Sequence, residues 1–501
     1  MTDMTGVDDA LEHIERLRHG EVLTTERASA VLALHRAGRL ADYQLSAWLA
    51  TIAARGLRFP ETVALTRAYL GPDRQRAAVG GGGGRPVVDK HSTGGIGDKT
   101  TLVVVPLVAA LGVRVCKLSG RGLGIAGGTI DKLESVPGLR LAFTGAELAA
   151  RIAADDAVIG SFSGELVPGD TATYGLRSVS GCVRSAPLIA ASIVSKKVAV
   201  GADAVVFDVR YGAGSLVPDR GAAHRLAGLL VRLGGAFGMR CRAVLSDGSV
   251  PLGRTVGNAA EVDEAIDFLR GRGDGRLAAE CEALAVQMVR VAEPDEPEAR
   301  IRERLRSAVA SGAALSVFVR MLTAQGGDTT PILRGDGYCR PAVRTLVRAR
   351  RAGWVTDVSA LDIGRAALKL GAGKVFAGDV IDPHAGIRLA RPLGGRVAEG
   401  DVLAEVFHRE GFDGGAAVVL VAGAVRIGPR EDCRVPREPE PVPQADARAG
   451  AAGEVASKDA ADASSGVVAD VSAGVAADVC AGVAADVSAG VRADGTGAFH
   501  V

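Results

Sequence analysis

The residues best suited to chemistry lie in the stretch VDKHSTGGIGDKT at 88–100. It leaves a β-branched run, crosses a glycine-rich loop and enters a helical pattern near Gly97. A turn of this kind aims several backbone N–H groups and the positive end of a helix dipole at one point, which suits a phosphate. Lys90, Ser92, Thr100 and Thr101 add an ammonium and hydroxyls. It is not a Walker A loop, because Asp98 separates Gly97 from Lys99, and it is not G-x-G-x-x-G. An ordinary tight strand-to-helix turn has a similar composition, so this loop alone is weak evidence. A second loop, SGRGLGIAGGTIDKLES at 119–135, follows the next strand-like run and brings Ser119, Thr129, Arg121, Asp131, Lys132 and Glu134. Consecutive loops at the carboxyl ends of adjacent parallel strands converge on one crevice. Asp131 and Glu134 are read as structural partners of Arg121 or Lys132 and not as acid/base groups. A third set comprises YGLRS at 174–178 and SAPLIAASIVSKK at 185–197. Ser192 and Lys196, four apart, share one face of a helix opened by Pro187, and Arg177 supplies a second cation. On spacing alone a solvated helix face would explain them equally well.

Composition points to the same region. Of 59 basic residues only nine are lysine, and six of these (Lys90, Lys99, Lys117, Lys132, Lys196 and Lys197) fall between 90 and 197. Ammonium and guanidinium groups are not interchangeable at close-contact sites, so the clustering marks where the chemistry sits. A formal net charge of +1 gives no general argument for nucleic acid or an anionic membrane as partner. No apolar run approaches the ~18 residues a bilayer span requires. Seven scattered cysteines without C-x-x-C read as reduced thiols of a cytoplasmic protein, with no metal site.

The elements that must position these residues fall into successive textures, expected to form an α/β protein with a helical N-terminal domain, a small C-terminal domain and a tail. Residues 1–78 read as a helical domain: Thr24 or Thr25 caps a helix stopping at Gly38, Leu45, Trp48, Leu49 and Ile52 repeat at helical spacing, and Pro60 opens another helix. The helical run at about 166–200 is expected to complete that domain. Gly80–Gly84 reads as a linker or hinge. Strands and helices alternate over 86–165 and 201–340, which predicts a central, mostly parallel sheet covered by helices. Around 345–435, short strands with glycine-rich turns predict a small C-terminal α+β domain, β-rich in texture. The run GGRVAEGDVL resembles a carrier-domain hairpin, but no Met-Lys-Met follows, so a structural cap is expected. Residues 436–501, with an eight-residue repeat starting at Gly466, Gly474 and Gly482, read as a low-complexity, disordered tail.

Taken together, VDKHSTGGIGDKT, SGRGLGIAGGTIDKLES, YGLRS, SAPLIAASIVSKK, AVVFDVRYGAGS (204–215), VGNAAEVDEAIDFL (256–269), LADYQLSAWLA (40–50) and DIGRAALKLGAGK (362–374) resemble the thymidine and pyrimidine-nucleoside phosphorylases over about 12–430. The resemblance implies a pentosyltransferase that splits pyrimidine nucleosides with inorganic phosphate, without a cofactor, and that forms a homodimer through its helical domain. It implies phosphate held by Lys90, Ser92, Thr101, Ser119 and Thr129, and base read by Arg177, Ser192 and Lys196. His91 would lie near the sugar and the base O2 and would share the catalytic work with Arg177 and Lys196. The expected partners are a small nucleoside and phosphate, with neither nucleic acid nor membrane.

The chain departs from the family pattern at Ile125-Ala126 (often His-Thr), Phe162 (usually Gln), Thr171 (Lys) and Ser178 (Asp). These changes suggest a preference for a modified or ribo-type pyrimidine nucleoside. Two other readings are kept. The STGGIGD loop also resembles that of anthranilate-type phosphoribosyltransferases, and a drifted, non-catalytic nucleoside-binding homologue is the third.

Overall fold

The computed structural model describes residues 6–71, 85–122, 125, 127–162, 166–273, 275–374, 379–412 and 414–443. The Gly80–Gly84 linker and the repeats beginning at Gly466 lie outside them.

Four N-terminal helices, Val7–Arg18, Thr25–Arg36, Asp42–Arg55 and Phe59–Leu70, pack with Pro168–Val179 and Ala186–Val200. The capping residue of the second is Thr24, whose hydroxyl accepts from the Arg27 N–H at 3.3 Å. Residues 168–200 thus pack into the helical bundle.

The central sheet has six parallel strands: β1 (Val87–Ser92), β2 (Arg114–Leu118), β3 (Ala142–Phe143), β4 (Ala157–Phe162), β5 (Ala204–Tyr211) and β6 (Arg240–Asp247). Their order is β6-β5-β1-β2-β4-β3, so β1 and its neighbours lie inside the sheet. Both faces are covered. Val88, Val115, Ile159, Val206 and Val244 face a core built with helices Thr100–Ala109, Asn258–Leu269, Gly275–Ala292, Glu298–Ala310 and Ala313–Ala324. The alternate positions Val205, Phe207 and Val209 face a second core with helix Arg220–Ala236 and the helical bundle. The period-2 alternation of a strand thus divides β5 cleanly between two cores.

The third core is the C-terminal unit, with strands Val343–Arg348, Gly353–Val358, Gly386–Leu389, Arg396–Val397, Val402–His408 and Val425–Gly428 and helices Ala360–Lys369 and Gly415–Ala424. Its sheet recruits one strand from the central region: Thr255–Val256 pairs antiparallel with Gly386–Leu389.

The ordered chain continues past the expected start of the tail at 436. Glu440–Pro441 adds an antiparallel strand to the outer edge of β6, and Val442 is buried in the second core. Two residues are too few to show an alternating pattern, and proline, lacking an N–H, is tolerated on an edge strand. Among the described residues no single helix is long and apolar enough to cross a membrane, and the six cysteines described are free thiols.

Candidate active site

Alternation along β1 sorts the first motif into two faces. Lys90 and Ser92 point toward helix Thr100–Ala109, whereas Asp89 and His91 point toward helix Ala186–Val200. The contacts agree. The Lys90 ammonium, fully buried, donates to Thr100 Oγ1 at 2.6 Å and pairs with Asp208 on β5 at 3.2 Å. Asp89 holds the buried Lys197 ammonium at 2.7 Å, and Lys197 also donates to the Leu118 carbonyl at 3.0 Å. Lys197, which could have lain on a solvated helix face, is therefore a buried bridge between β1, β2 and the helical bundle.

The expected phosphate groups gather around the carboxyl ends of β1 and β2. Ser92 Oγ accepts from the Gly94 N–H at 3.1 Å. Thr101 is buried in the first turn of helix Thr100–Ala109. Ser119 directly follows β2, anchored by its N–H to the Gly160 carbonyl at 2.9 Å, and Thr129 opens helix Thr129–Leu133. The loop is charge-balanced from within: Thr100 Oγ1 donates to Asp98 at 2.6 Å, and the Arg210 guanidinium lies 3.4 Å from the same carboxylate. Burial works to raise the Asp98 carboxyl, yet Arg210, Lys90 and Lys132 together hold it well below its ordinary value. Arg210 is itself met by Asp208 and Glu280.

The acidic residues of the second loop are structural, as read from the sequence. Arg121 pairs with Glu134 and Asp131, and Asp131 also accepts from the Gly122 and Gly128 N–H groups at 2.6 and 3.0 Å. Lys132 instead reaches the Asp98 carbonyl and, at 2.8 Å, Glu261.

On the helical side Arg177, Ser192 and Lys196 are brought together. Ser192 Oγ receives both the Arg177 guanidinium and the Lys196 ammonium, each at 3.1 Å, and Arg177 also donates to the Leu188 carbonyl at 2.7 Å. Sequence reasoning missed the group that organises this cluster. Asp170, buried at the start of helix Pro168–Val179, lies 2.5 Å from Lys196 and 3.9 Å from Arg177. Its Oδ1 has no hydrogen-bond partner, nor has Arg177 Nε. Tyr174, within YGLRS, places its ring under the Lys196 ammonium at 4.7 Å. Burial, with Asp170, lifts the Tyr174 phenol to about 12. A Cβ placed on Gly120 would lie 3.9 Å from the Tyr174 hydroxyl, so this cluster adjoins the second glycine-rich loop.

His91 stands between the two sets. Burial, then the ammonium groups of Lys197, Lys117, Lys196 and Lys90, hold its imidazole well below the ordinary 6.5, so it is neutral at physiological pH. Its buried Nδ1 has no partner. Lys117 is a second omission. Buried on β2, it donates to the Leu118 carbonyl at 2.7 Å, and burial followed by Lys197 keeps its pKa well below that of a free lysine. The lysine clustering in the sequence was its signal. Burial likewise lowers the Lys196 pKa against the opposing pull of Asp170.

Two of the departures face away from this site. Ser178 is exposed and donates to the Gly175 carbonyl of its own helix at 2.6 Å, and Thr171 is exposed and bonds Val167 O at 3.2 Å. Ile125 packs beside Ile96 and Gly364 of the C-terminal core. Ala126 lies outside the described residues.

Comparison with known proteins gives matches over three stretches of the chain. Residues 11–71 match the glycosyl transferase family helical bundle domain, 84–315 the glycosyl transferase family a/b domain, and 354–428 the pyrimidine nucleoside phosphorylase C-terminal domain. A pyrimidine-nucleoside phosphorylase of Geobacillus stearothermophilus is 40% identical over 405 residues, spanning 80% of this chain and 92% of the relative. One from Staphylococcus aureus (strain USA300) is 40% identical over 395 residues, 78% and 90% of the respective chains. A solved anthranilate phosphoribosyltransferase from Saccharomyces cerevisiae shares the fold, with a TM-score of 0.51, 12% identity, and coverage of 64% of this chain and 98% of that one. With near-complete coverage of its relatives and a matching C-terminal domain, the chain belongs to the pyrimidine-nucleoside phosphorylase family.

Proposed function

We propose that the protein catalyses phosphorolysis of pyrimidine nucleosides, releasing the free base and the (2-deoxy)-α-D-ribose 1-phosphate. The carrying observation is the juxtaposition of two unlike clusters: hydroxyls and amides around Lys90 at the ends of β1 and β2, and the Arg177–Ser192–Lys196–Asp170 group on the helical bundle, with His91 between them.

The chemistry follows from that arrangement. Phosphate held by Lys90, Ser92, Thr101, Ser119 and Thr129 presents an oxygen to the anomeric carbon of a nucleoside whose base rests on Arg177, Ser192 and Lys196. Fixing the two reactants in line supplies much of the rate. The C–O bond to phosphate forms as the C–N bond to the base breaks, and the bonding pair leaves on the pyrimidine. Donors already aimed at that departing anion stabilise it without reorganisation. Arg177 provides permanent charge, and Lys196, made more acidic by burial, is suited to pass a proton to the leaving base. Neutral His91 offers an N–H toward the sugar or the base O2 without adding a like charge to the surrounding lysines.

We further place the protein in the cytoplasm as a homodimer joined through its helical domain. Tyr43 and Val179, 76% and 82% exposed, lie on helices of that bundle and supply apolar surface for such a contact. Ser178 and Thr171 are exposed and spend their hydroxyls on carbonyls of their own chain segment, so neither is bonded to the cluster. The test is a panel of thymidine, uridine and deoxyuridine incubated with and without phosphate, with free base and sugar 1-phosphate quantified. Phosphate-dependent release of both products is expected. Release without phosphate, or none with any member, refutes the proposal.

A further inference from the structure

The lysine at 99 is used by neither cluster, although it sits inside the phosphate-loop motif. Its side chain turns away from the loop and is fully buried. The ammonium donates to the Leu252 carbonyl at 2.7 Å, the Thr255 carbonyl at 2.9 Å and Glu264 Oε2 at 2.8 Å. All three of its N–H bonds are thereby satisfied. Two of the three acceptors are uncharged main-chain oxygens, so this is an oxygen cage closed around a cation and more than a simple ion pair.

The cage is built for its occupant. Gly253, at φ +72°, lets the backbone wrap the ammonium: a Cβ there would lie 2.9 Å from Lys99 Nζ and 2.5 Å from Glu264 Oε1. Glu264 is fixed by the Arg254 and Thr255 N–H groups at 2.6 and 2.8 Å and by the Thr255 hydroxyl at 2.5 Å. The phosphate loop is pressed onto the same wall. Leu252 N–H donates to the Ile96 carbonyl at 3.1 Å, and a Cβ on Gly97 would stand 2.5 Å from the Leu252 oxygen that Lys99 binds. One helical turn before Glu264, Glu261 takes Lys132, which in turn holds the Asp98 carbonyl. Helix Asn258–Leu269, within the VGNAAEVDEAIDFL stretch, therefore anchors both glycine-rich loops through two carboxylates.

We propose that Lys99 is a tethered monovalent cation: its ammonium fills an oxygen cage that sets the position of the 93–101 loop, so the chain needs no free cation for phosphate binding, and shortening the side chain turns the cage into a site for ammonium or potassium ions. Lys99 is a positioning residue, acting on phosphate through Ser92, Thr100 and Thr101. The inference rests on the phosphate reading of that loop. An ammonium ion reproduces the charge and hydrogen bonds of Nζ, and potassium is of similar size. Sodium is smaller, and tetramethylammonium is too large and donates no hydrogen bonds.

The experiment compares wild type, Lys99→Ala and Lys99→Met in chloride salts of these four cations at constant ionic strength. Two measurements are made: the melting temperature with and without phosphate, and KM for phosphate against kcat with a cleaved nucleoside. Wild type is expected to be indifferent to the cation. Lys99→Ala in tetramethylammonium should show a phosphate KM raised about tenfold or more, for three buried acceptors left unmet, with a smaller change in kcat. Ammonium and potassium, but not sodium, should restore its KM and raise its melting temperature saturably. Lys99→Met, which fills the space without charge, should respond to none. Saturable activation or stabilisation of wild type by potassium overturns the proposal, as does a Lys99→Ala protein indifferent to ammonium and potassium. If no nucleoside is cleaved at all, the proposed function fails, whereas the cation-dependent melting of Lys99→Ala still decides the cage.

Discussion

Replacing Asp170 by Asn tests whether the base-side cluster works as an electrostatic unit. The change keeps size and shape while removing the carboxylate that lies 2.5 Å from Lys196 and 3.9 Å from Arg177. A hydrogen bond to a charged group contributes about 1.5–3 kcal/mol. The Lys196 side chain is 34% exposed, so the lower part of that range applies. At about 1.4 kcal/mol per factor of ten, kcat/KM for the nucleoside should fall about 10- to 40-fold. The phosphate KM should barely move, because the ion pairs of Asp170 run to Lys196 and Arg177. The pH profile supplies a second reading. Asp170 raises the Lys196 pKa against burial, so its loss lowers that pKa further. The working form carries the ammonium, and activity is lost as pH rises through the Lys196 pKa. The alkaline limb of kcat/KM should therefore move to lower pH in Asp170→Asn. Continuous absorbance assays of base release at saturating phosphate give both quantities. A variant within about threefold of wild type, with an unmoved alkaline limb, would refute the view that this carboxylate tunes Lys196.

The other predictions follow from burial. Lys90→Met removes one of two cations on buried Asp208 and leaves Arg210 at 3.2 Å, so stability should fall by less than the ~3–5 kcal/mol of a fully broken buried pair, and stabilisation by added phosphate should vanish; denaturant melts with and without phosphate check both. His91, whose folded pKa lies well below 6.5, binds a proton more readily in the unfolded chain, so its contribution to stability is full above 6.5 and declines as pH falls below it; His91→Gln should flatten that part of the stability-pH curve. Ending the chain after residue 443 should leave the melting temperature unchanged, whereas ending it after 435 should lower it by uncovering the β6 edge and removing buried Val442.

Much of the fold was legible because its signals are local. Apolar runs such as AVVFDV report strands buried on both faces, and Thr24, Gly38 and Pro60 punctuate helices whatever surrounds them. The base-side trio was legible for a similar reason: Ser192 and Lys196 share a helix face, Arg177 stands in the neighbouring YGLRS run as a second cation, and the family resemblance gave the three a common role. Asp170 was not: Arg177 lies two turns along the same helix, outside the i, i+3 and i, i+4 spacings that mark local pairs, and Lys196 meets it only through tertiary packing. Lys117 was marked only by the lysine clustering, and its burial depends on packing that no local pattern reports. The pairing of Glu440–Pro441 with β6 is invisible locally, because two residues carry no period and their partner lies about two hundred positions earlier in the chain.

The scarcity of lysine now has a physical account. Lys90, Lys99, Lys117, Lys132 and Lys197 are all essentially buried, each with its ammonium on carboxylate, hydroxyl or carbonyl oxygens at the ends of β1 and β2 or on the helices behind them. A compact ammonium with three donors can be enclosed by oxygens from several chain segments, where a planar guanidinium would demand a flat, wider slot. Lys196 is the member of the cluster left partly open, at 34% exposure, and it is also the one placed beside Arg177 and Ser192 on the base side. Lys90 apart, which the proposed function sets on phosphate, the enclosed ammoniums fix the loops and their potential, and the partly open one, held by Asp170 and Ser192, faces the base. This division requires that variants of the enclosed lysines act on phosphate affinity and stability, and that variants of Lys196 act on the step in which the base departs.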